Sequence, residues 1–166
     1  MNNLLIGNER FGYYETICGG SGAGPDFNGA DAVHTHMTNT RLTDPEILEW
    51  RFPVLLESHR IRRGSGGGGQ WRGGDGTIRR IRFLEPMTAA MLASHRVVPP
   101  FGAAGGDPGE VGRNWVERAD GTRDSSDSGR WQVEMNPGDV FVIQTPTGGG
   151  YGPARLRREQ TRKAAK

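Results

Sequence analysis

Glycine decides what this chain can become. It supplies 27 of the 166 residues, more than double the roughly 7% of ordinary domains, and it comes in runs. The runs are Gly19-Gly20-Ser21-Gly22-Ala23-Gly24-Pro25, Gly64-Ser65-Gly66-Gly67-Gly68-Gly69, Gly73-Gly74-Asp75-Gly76, Gly105-Gly106 and Gly148-Gly149-Gly150. Because glycine loses more conformational freedom on folding than any other residue, such content means disorder or a fold that needs bare main chain. Disordered tracts lack aromatic and β-branched residues; here they alternate with the glycines throughout. A folded, turn-rich domain follows, with glycine present so that main chain can lie against a neighbouring polypeptide.

The segments between the runs have the character of strands. Leu4–Ile17 reads as strand pieces broken by Gly7 and Gly12, and Val33, Thr35 and Met37 alternate against His34, His36 and Thr38 with a period of two. Further strands are expected over Val54–Arg62, Gly76–Phe83, Thr88–Arg96, Asn114–Arg118, Trp131–Met135 and Val140–Thr145. Ala89–Ala93 would also suit a short helix. Turn chemistry separates these segments, as in Asp120-Gly121 and Asn136-Pro137-Gly138-Asp139. Ala119–Arg130 is so polar that a mobile loop is expected there. One helix stands out near 44–51: Thr43 or Asp44 can cap it, Pro45 suits its first turn, and Pro53 stops it. The fold class is therefore mainly β with little helix (α+β), built from short antiparallel strands joined by Gly-rich turns.

Composition narrows the function. The net charge is only +2, and the basic residues of 155–166, RLRREQTRKAAK, lack the interleaved aromatics of a nucleic-acid surface. A basic, disordered tail over 153–166 and no nucleic-acid partner are expected. Cys18 is the single cysteine, so no internal disulfide can form, which suits a reducing, cytoplasmic setting. No apolar stretch approaches the ~20 residues that span a bilayer, and the start lacks a signal-peptide core.

The candidate chemistry is sparse. On a strand, His34 and His36 would project to one side and could meet one metal ion, with Asp31 or His59 as a third ligand; the alternative is hydrogen bonding to loop carbonyls. The glycine runs lack the Gly-Lys-Ser/Thr ending of a phosphate loop and lead into no helix, so close packing is the better reading. Cys18 reads as a small hydrophobe. Asp75 and Asp139 read as turn residues that accept main-chain hydrogen bonds. Arg62, Arg63 and Arg72 could hold a carboxylate or phosphate, although a solvated basic face is preferred.

Taken together and in order, several strings resemble the end of the hydantoinase B/5-oxoprolinase family. They include Phe11-Gly12-Tyr13-Tyr14-Glu15-Thr16 and the Gly19–Pro25 run. His34-Thr35-His36-Met37-Thr38-Asn39-Thr40-Arg41 with Thr43-Asp44-Pro45-Glu46 is the most distinctive. Arg72-Gly73-Gly74-Asp75-Gly76, Pro99-Pro100-Phe101-Gly102 and Gly148-Gly149-Gly150-Tyr151-Gly152 follow. The resemblance covers 1–152 and implies the carboxy-terminal region of a larger B-type subunit. It implies ATP-dependent opening of a cyclic amide, 5-oxoproline to glutamate or a hydantoin ring. A hydantoinase A-type subunit would bring ATP and Mg2+, and a divalent metal would be held in the amino-terminal part of the B-type subunit. His34, His36, Asn39, Arg41, Asp44 and Asp75 are the implied pocket residues. An acetone or acetophenone carboxylase-type component and a truncated, non-catalytic assembly piece are the alternatives. The family pattern has Gly where Cys18 and Thr147 stand, Glu where His95 stands, and Gly-Gly-Lys where Ser128-Gly129-Arg130 stands.

Overall fold

The strands alternate as their burial demands. In β4 (Thr77–Phe83) every second side chain is buried, so Thr77, Arg79, Ile81 and Phe83 face inward while Ile78, Arg80 and Arg82 face out, the period of a strand with one covered face. The computed structural model describes residues 1–35, 38 and 40–154; the basic tail expected from 153 onward lies outside them beyond 154. Two antiparallel sheets form. One has the order β2 (Gly12–Thr16), β1 (Asn2–Gly7), β5 (Met87–Ala93) and β8 (Arg130–Met135). The other has β3 (Val54–Ile61), β4, β9 (Val140–Gln144), β6 (Arg113–Glu117) and β7 (Arg123–Ser126). The two inner faces share one core, in which Leu4, Ile6, Ala89 and Met91 meet Ile81, Phe83, Phe141 and Ile143. The central β9 buries Val140 to Ile143 on both faces, because Val140 and Val142 pack under Trp115 on the outside.

The helix α1 (Pro45–Arg51) forms as its sequence dictates. Asp44 is the cap, its carboxylate accepting from the Glu46 amide at 2.9 Å, and Pro45 occupies the first turn. Leu48 plugs the core. Met87–Ala93 is a strand rather than a helix, held between β1 and β8 along its length.

A buried ion pair ties the two sheets together. Arg79 of β4 donates from Nε and Nη2 to Glu15 of β2 at 2.7 and 3.0 Å, and both side chains are at most 3% exposed. Tyr13 donates its hydroxyl to the same carboxylate at 2.9 Å; burial, first, pushes its phenol up to about 12.

The sheet registers place seven strand termini at one end. Ile61 pairs with Thr77, Ile78 and Arg113 both pair with Gln144, and Asn2 pairs with Ala93. The glycine runs all leave from that end, and there they stack on one another. Gly74 donates to the Ser21 carbonyl, Gly148 to Gly74, Gly67 to Gly148 and Gly73 to Gly67, at 2.8–2.9 Å. Chains hydrogen-bonded this closely leave no room for side chains. A Cβ on Gly148 would sit 1.7 Å from the Ser21 oxygen, one on Gly74 1.9 Å from the Ala30 oxygen and one on Gly73 2.0 Å from the Gly148 oxygen. The same logic puts glycine at the axis of collagen. The neighbouring polypeptide expected beside the glycines is thus this chain itself.

Three further expectations are corrected. Residues 119–130 are not one mobile loop: Asp120-Gly121 closes a hairpin, with Gly121 at φ 87°, and β7 pairs with β6. Its polar sequence hid it, since β7 is an edge strand whose Arg123 lies over the Trp115 ring at 4.2 Å. The alternating 31–41 segment is not a strand among its described residues. Only Val33 makes a bridge, to Gly19, and the main chain turns at Ala32, where φ is 49°. Arg62 and Arg72 are not a solvated face. Arg72 forks the Asp31 carboxylate at 2.9 and 3.0 Å, holding it below the usual carboxylate range. Arg62 is nearly buried and pairs with Glu110.

Two outcomes test this architecture. Gly148→Ala should cost about 3 kcal/mol or more through overpacking against main chain. Gly12→Ala, with nothing within 4 Å of the new carbon, should stay within about 0.5 kcal/mol; denaturant midpoints read both. Glu15→Gln leaves Arg79 buried without its counter-charge and should cost about 3–5 kcal/mol, measured the same way.

Candidate functional site

The glycine stack forms one wall of a cavity of about 630 Å³ at the end of the sheets. Gly19–Ala23 and Pro146–Gly150 supply main chain, His34, Thr35 and Thr38 line one side, and Asn2, Ser94, His95 and Phe101 line another. Within the stack the amides are already committed: Gly150 donates to Asp107, Ala23 to Gly149 and Ser21 to Ala30. A phosphate cradle needs free amides converging from a loop into a helix, and these glycines do not offer one. Close packing, as their sequence suggests, is their role.

Gly22 differs from its neighbours. A Cβ there would meet only the Gly149 oxygen, at 3.9 Å, so the stack does not demand glycine at this position; its absent side chain leaves open space beside the cavity wall.

Of the described pocket candidates, His34 lies in the cavity. Burial holds its imidazole below the ordinary value of 6.5, so it is neutral at pH 7 and able to accept or donate one hydrogen bond. Asp44 is the helix cap, and Arg41 is exposed. Asp75 is 6% exposed and accepts from the Gly64 and Gly66 amides at 2.9 and 2.8 Å. It organises the glycine run as a turn residue, outside the cavity lining. His36 and Asn39 lie outside the described residues. Asp31, a possible third ligand beside His34 and His36, is engaged by Arg72, and His59 is on β3 opposite Arg79. Among the described residues no three His, Cys, Asp or Glu side chains gather into a metal-binding group. Cys18 lines the cavity, where burial raises its thiol, the behaviour of a small apolar residue rather than a nucleophile.

Sequence alone passes over Arg96. It is 6% exposed and bonds to the side-chain oxygens of Asn2 and Asn114 at 2.9 Å and to the Ser94 carbonyl at 3.0 Å. Burial pulls it down to about 10, still cationic at neutral pH. Asn2 and Ser94 both line the cavity, so a buried positive charge without a bonded carboxylate stands behind that wall. Nothing in the local sequence separates Arg96 from the chain's exposed arginines. Asp139 carries a similar scaffolding load, accepting from the Asn136 and Ala119 amides at 2.9 Å and from Arg118 at 2.7 Å. Thr147, where the family pattern has glycine, uses its hydroxyl to donate to Ser65 and to accept from the Glu110 amide, at 2.8 and 2.7 Å.

The chain belongs to the hydantoinase B/oxoprolinase family, whose profile matches residues 1–154. It is 47% identical over 152 residues to a 5-oxoprolinase of Dictyostelium discoideum, covering 92% of this chain and 12% of that protein. This chain therefore spans about an eighth of the length of that relative. The fold is shared with the ATP-dependent caprolactamase of Pseudomonas jessenii, with a TM-score of 0.70 at 23% identity, covering 93% of this chain and 29% of that one. It is also shared with a nucleotide-free acetone carboxylase, with a TM-score of 0.71 at 16% identity, covering 93% of this chain and 26% of that one.

The desolvated His34 sets a pH dependence. Its folded value lies below its unfolded one, so the folded state resists protonation. Stability should be full above 6.5 and decline as the pH falls from 6.5 towards the folded value. An NMR titration of the His34 ring should give a midpoint below 6.5; a midpoint at or above it removes the effect.

Proposed function

We propose that this chain is a component of an ATP-dependent cyclic-amide hydrolase that opens 5-oxoproline to glutamate or a hydantoin ring. In this reading it acts in the cytoplasm with the remaining part of a B-type subunit and a hydantoinase A-type subunit. The observation that carries the reading is the 47% identity to a 5-oxoprolinase across 92% of the chain. The caprolactamase, a second enzyme named for a cyclic amide, shares the fold. The likeness to acetone carboxylase stands at 16% identity, which favours ring opening over carboxylation.

The division of labour follows from the chemistry. An amide carbonyl is a poor electrophile, and ATP, when bound, would supply the phosphoryl group that makes its oxygen a leaving group. The committed glycine amides do not suit phosphate, so that step belongs to the A-type subunit. What this chain contributes is a positioning surface. A neutral His34 can hydrogen-bond a ring amide, and the charge of Arg96 behind the Asn2–Ser94 wall favours a negatively polarised or carboxylate-bearing ligand. Any divalent metal would be held by the remaining part of the B-type subunit.

The test is a chimera of Dictyostelium 5-oxoprolinase in which the matched stretch is replaced by this chain. It should hydrolyse ATP in response to 5-oxoproline and release glutamate. A folded chimera without ring opening on 5-oxoproline or hydantoin refutes the reading, and bicarbonate-dependent consumption of acetone would replace it with the carboxylase alternative.

A further inference from the structure

The segment joining β5 to β6 displays three large apolar side chains to solvent: Val97 at 76%, Val98 at 70% and Phe101 at 82% exposure. The display is held in place rather than loose. The Gly112 amide donates to the His95 carbonyl at 2.9 Å, the His95 ring meets the Val98 carbonyl at 3.0 Å, and the Gly109 amide donates to Pro100 at 2.9 Å. Pro99 and Pro100 have fixed φ. On its inner side the Phe101 carbonyl presses on the glycine stack, where a Cβ on Gly149 would come within 1.9 Å of it. A fixed loop with its apolar side chains outward has already lost the freedom that docking would otherwise remove, and clustered exposed apolar residues mark interaction surfaces.

We propose that the 97–101 loop is the seat on which the remaining part of a B-type subunit docks, closing the cavity whose rim Phe101 forms. The proposal rests on the functional reading above and names the surface that reading requires. Two observations select this occupant. The matched stretch is 12% of the Dictyostelium relative, so most of that protein lies outside it and is available to cover this face. The patch is also only three side chains wide, well short of the ~800 Å² per partner of a stable self-association, so it suits a larger neighbour that adds contacts elsewhere. The cavity agrees in size: about 630 Å³ is far more than one small cyclic amide fills, leaving space for an inserted segment.

Limited proteolysis with chymotrypsin tests the seat. The isolated chain should be cut after Phe101, whereas in the chimera the same bond should be cut at least about tenfold more slowly. Val97→Asp, Val98→Asp and Phe101→Asp combined should leave the isolated chain's Tm unchanged and abolish the protection and monodispersity of the chimera. Leu84→Asp, at a site 51% exposed on the β4–β5 turn, should do neither. Equal cleavage in both contexts overturns the proposal, as does a dimer of the isolated chain that shields Phe101, or a triple variant that behaves like the Leu84→Asp control. Turnover separates the two readings. A protected but inactive chimera removes the enzymatic reading and leaves the docking surface, and an active chimera with Phe101 as cleavable as in the isolated chain does the reverse.

Discussion

The molecule is organised by the requirement that main chain touch main chain at one end of two sheets. Hydrogen bonds linking Ser21, Gly67, Gly73, Gly74 and Gly148 bring the backbones so close that a single methyl group would land within 2.0 Å of a carbonyl at several positions. This contact sets where the strands begin and end, since β2, β3 and β9 run into the stack and β4 and β6 emerge from that end. It also explains how a chain only 34% apolar can hold a definite shape. The shared core of the sheets carries the hydrophobic burial, and the stack is held by amide-to-carbonyl pairing.

The second device is the Glu15–Arg79 pair. A buried ion pair is weak evidence for net stability, because desolvation offsets much of the attraction. Its geometry nevertheless matters here: a two-pronged bond between β2 and β4, reinforced by Tyr13, allows one alignment of the two sheets. Removing either partner would strand a charge in the core, so the pair acts as a register lock.

Much of the strand pattern was legible because turn residues bracket segments of regular alternation. The helix was legible from Asp44 and Pro45 alone. What escaped was decided by contacts distant in sequence. β7 carries no apolar alternation, and only the pairing with β6 and the ring of Trp115 make it a strand. Residues 31–33 follow the glycine stack instead of their own period of two, because Asp31 is held by Arg72 and by the Asp75 amide. Arg72 looked like a surface charge for the same reason, since its partner lies far away in the chain. The candidate site was less legible than the fold. His34 reaches the cavity, Asp44 and Asp75 have structural duties, and Arg96 gave no local sign of the buried position it holds.

A wall made of backbone has a consequence for how such a pocket can diversify. Substitution alters side chains, and peptide groups in the stack present the same atoms whatever the neighbouring sequence becomes. Selectivity among relatives that share this floor therefore has to be written in the few side chains around its perimeter, His34, Thr35, Thr38, His95 and Phe101, or on the protein that closes over them. The glycine segments are the fixed mould, and the rim is where one ligand can be exchanged for another.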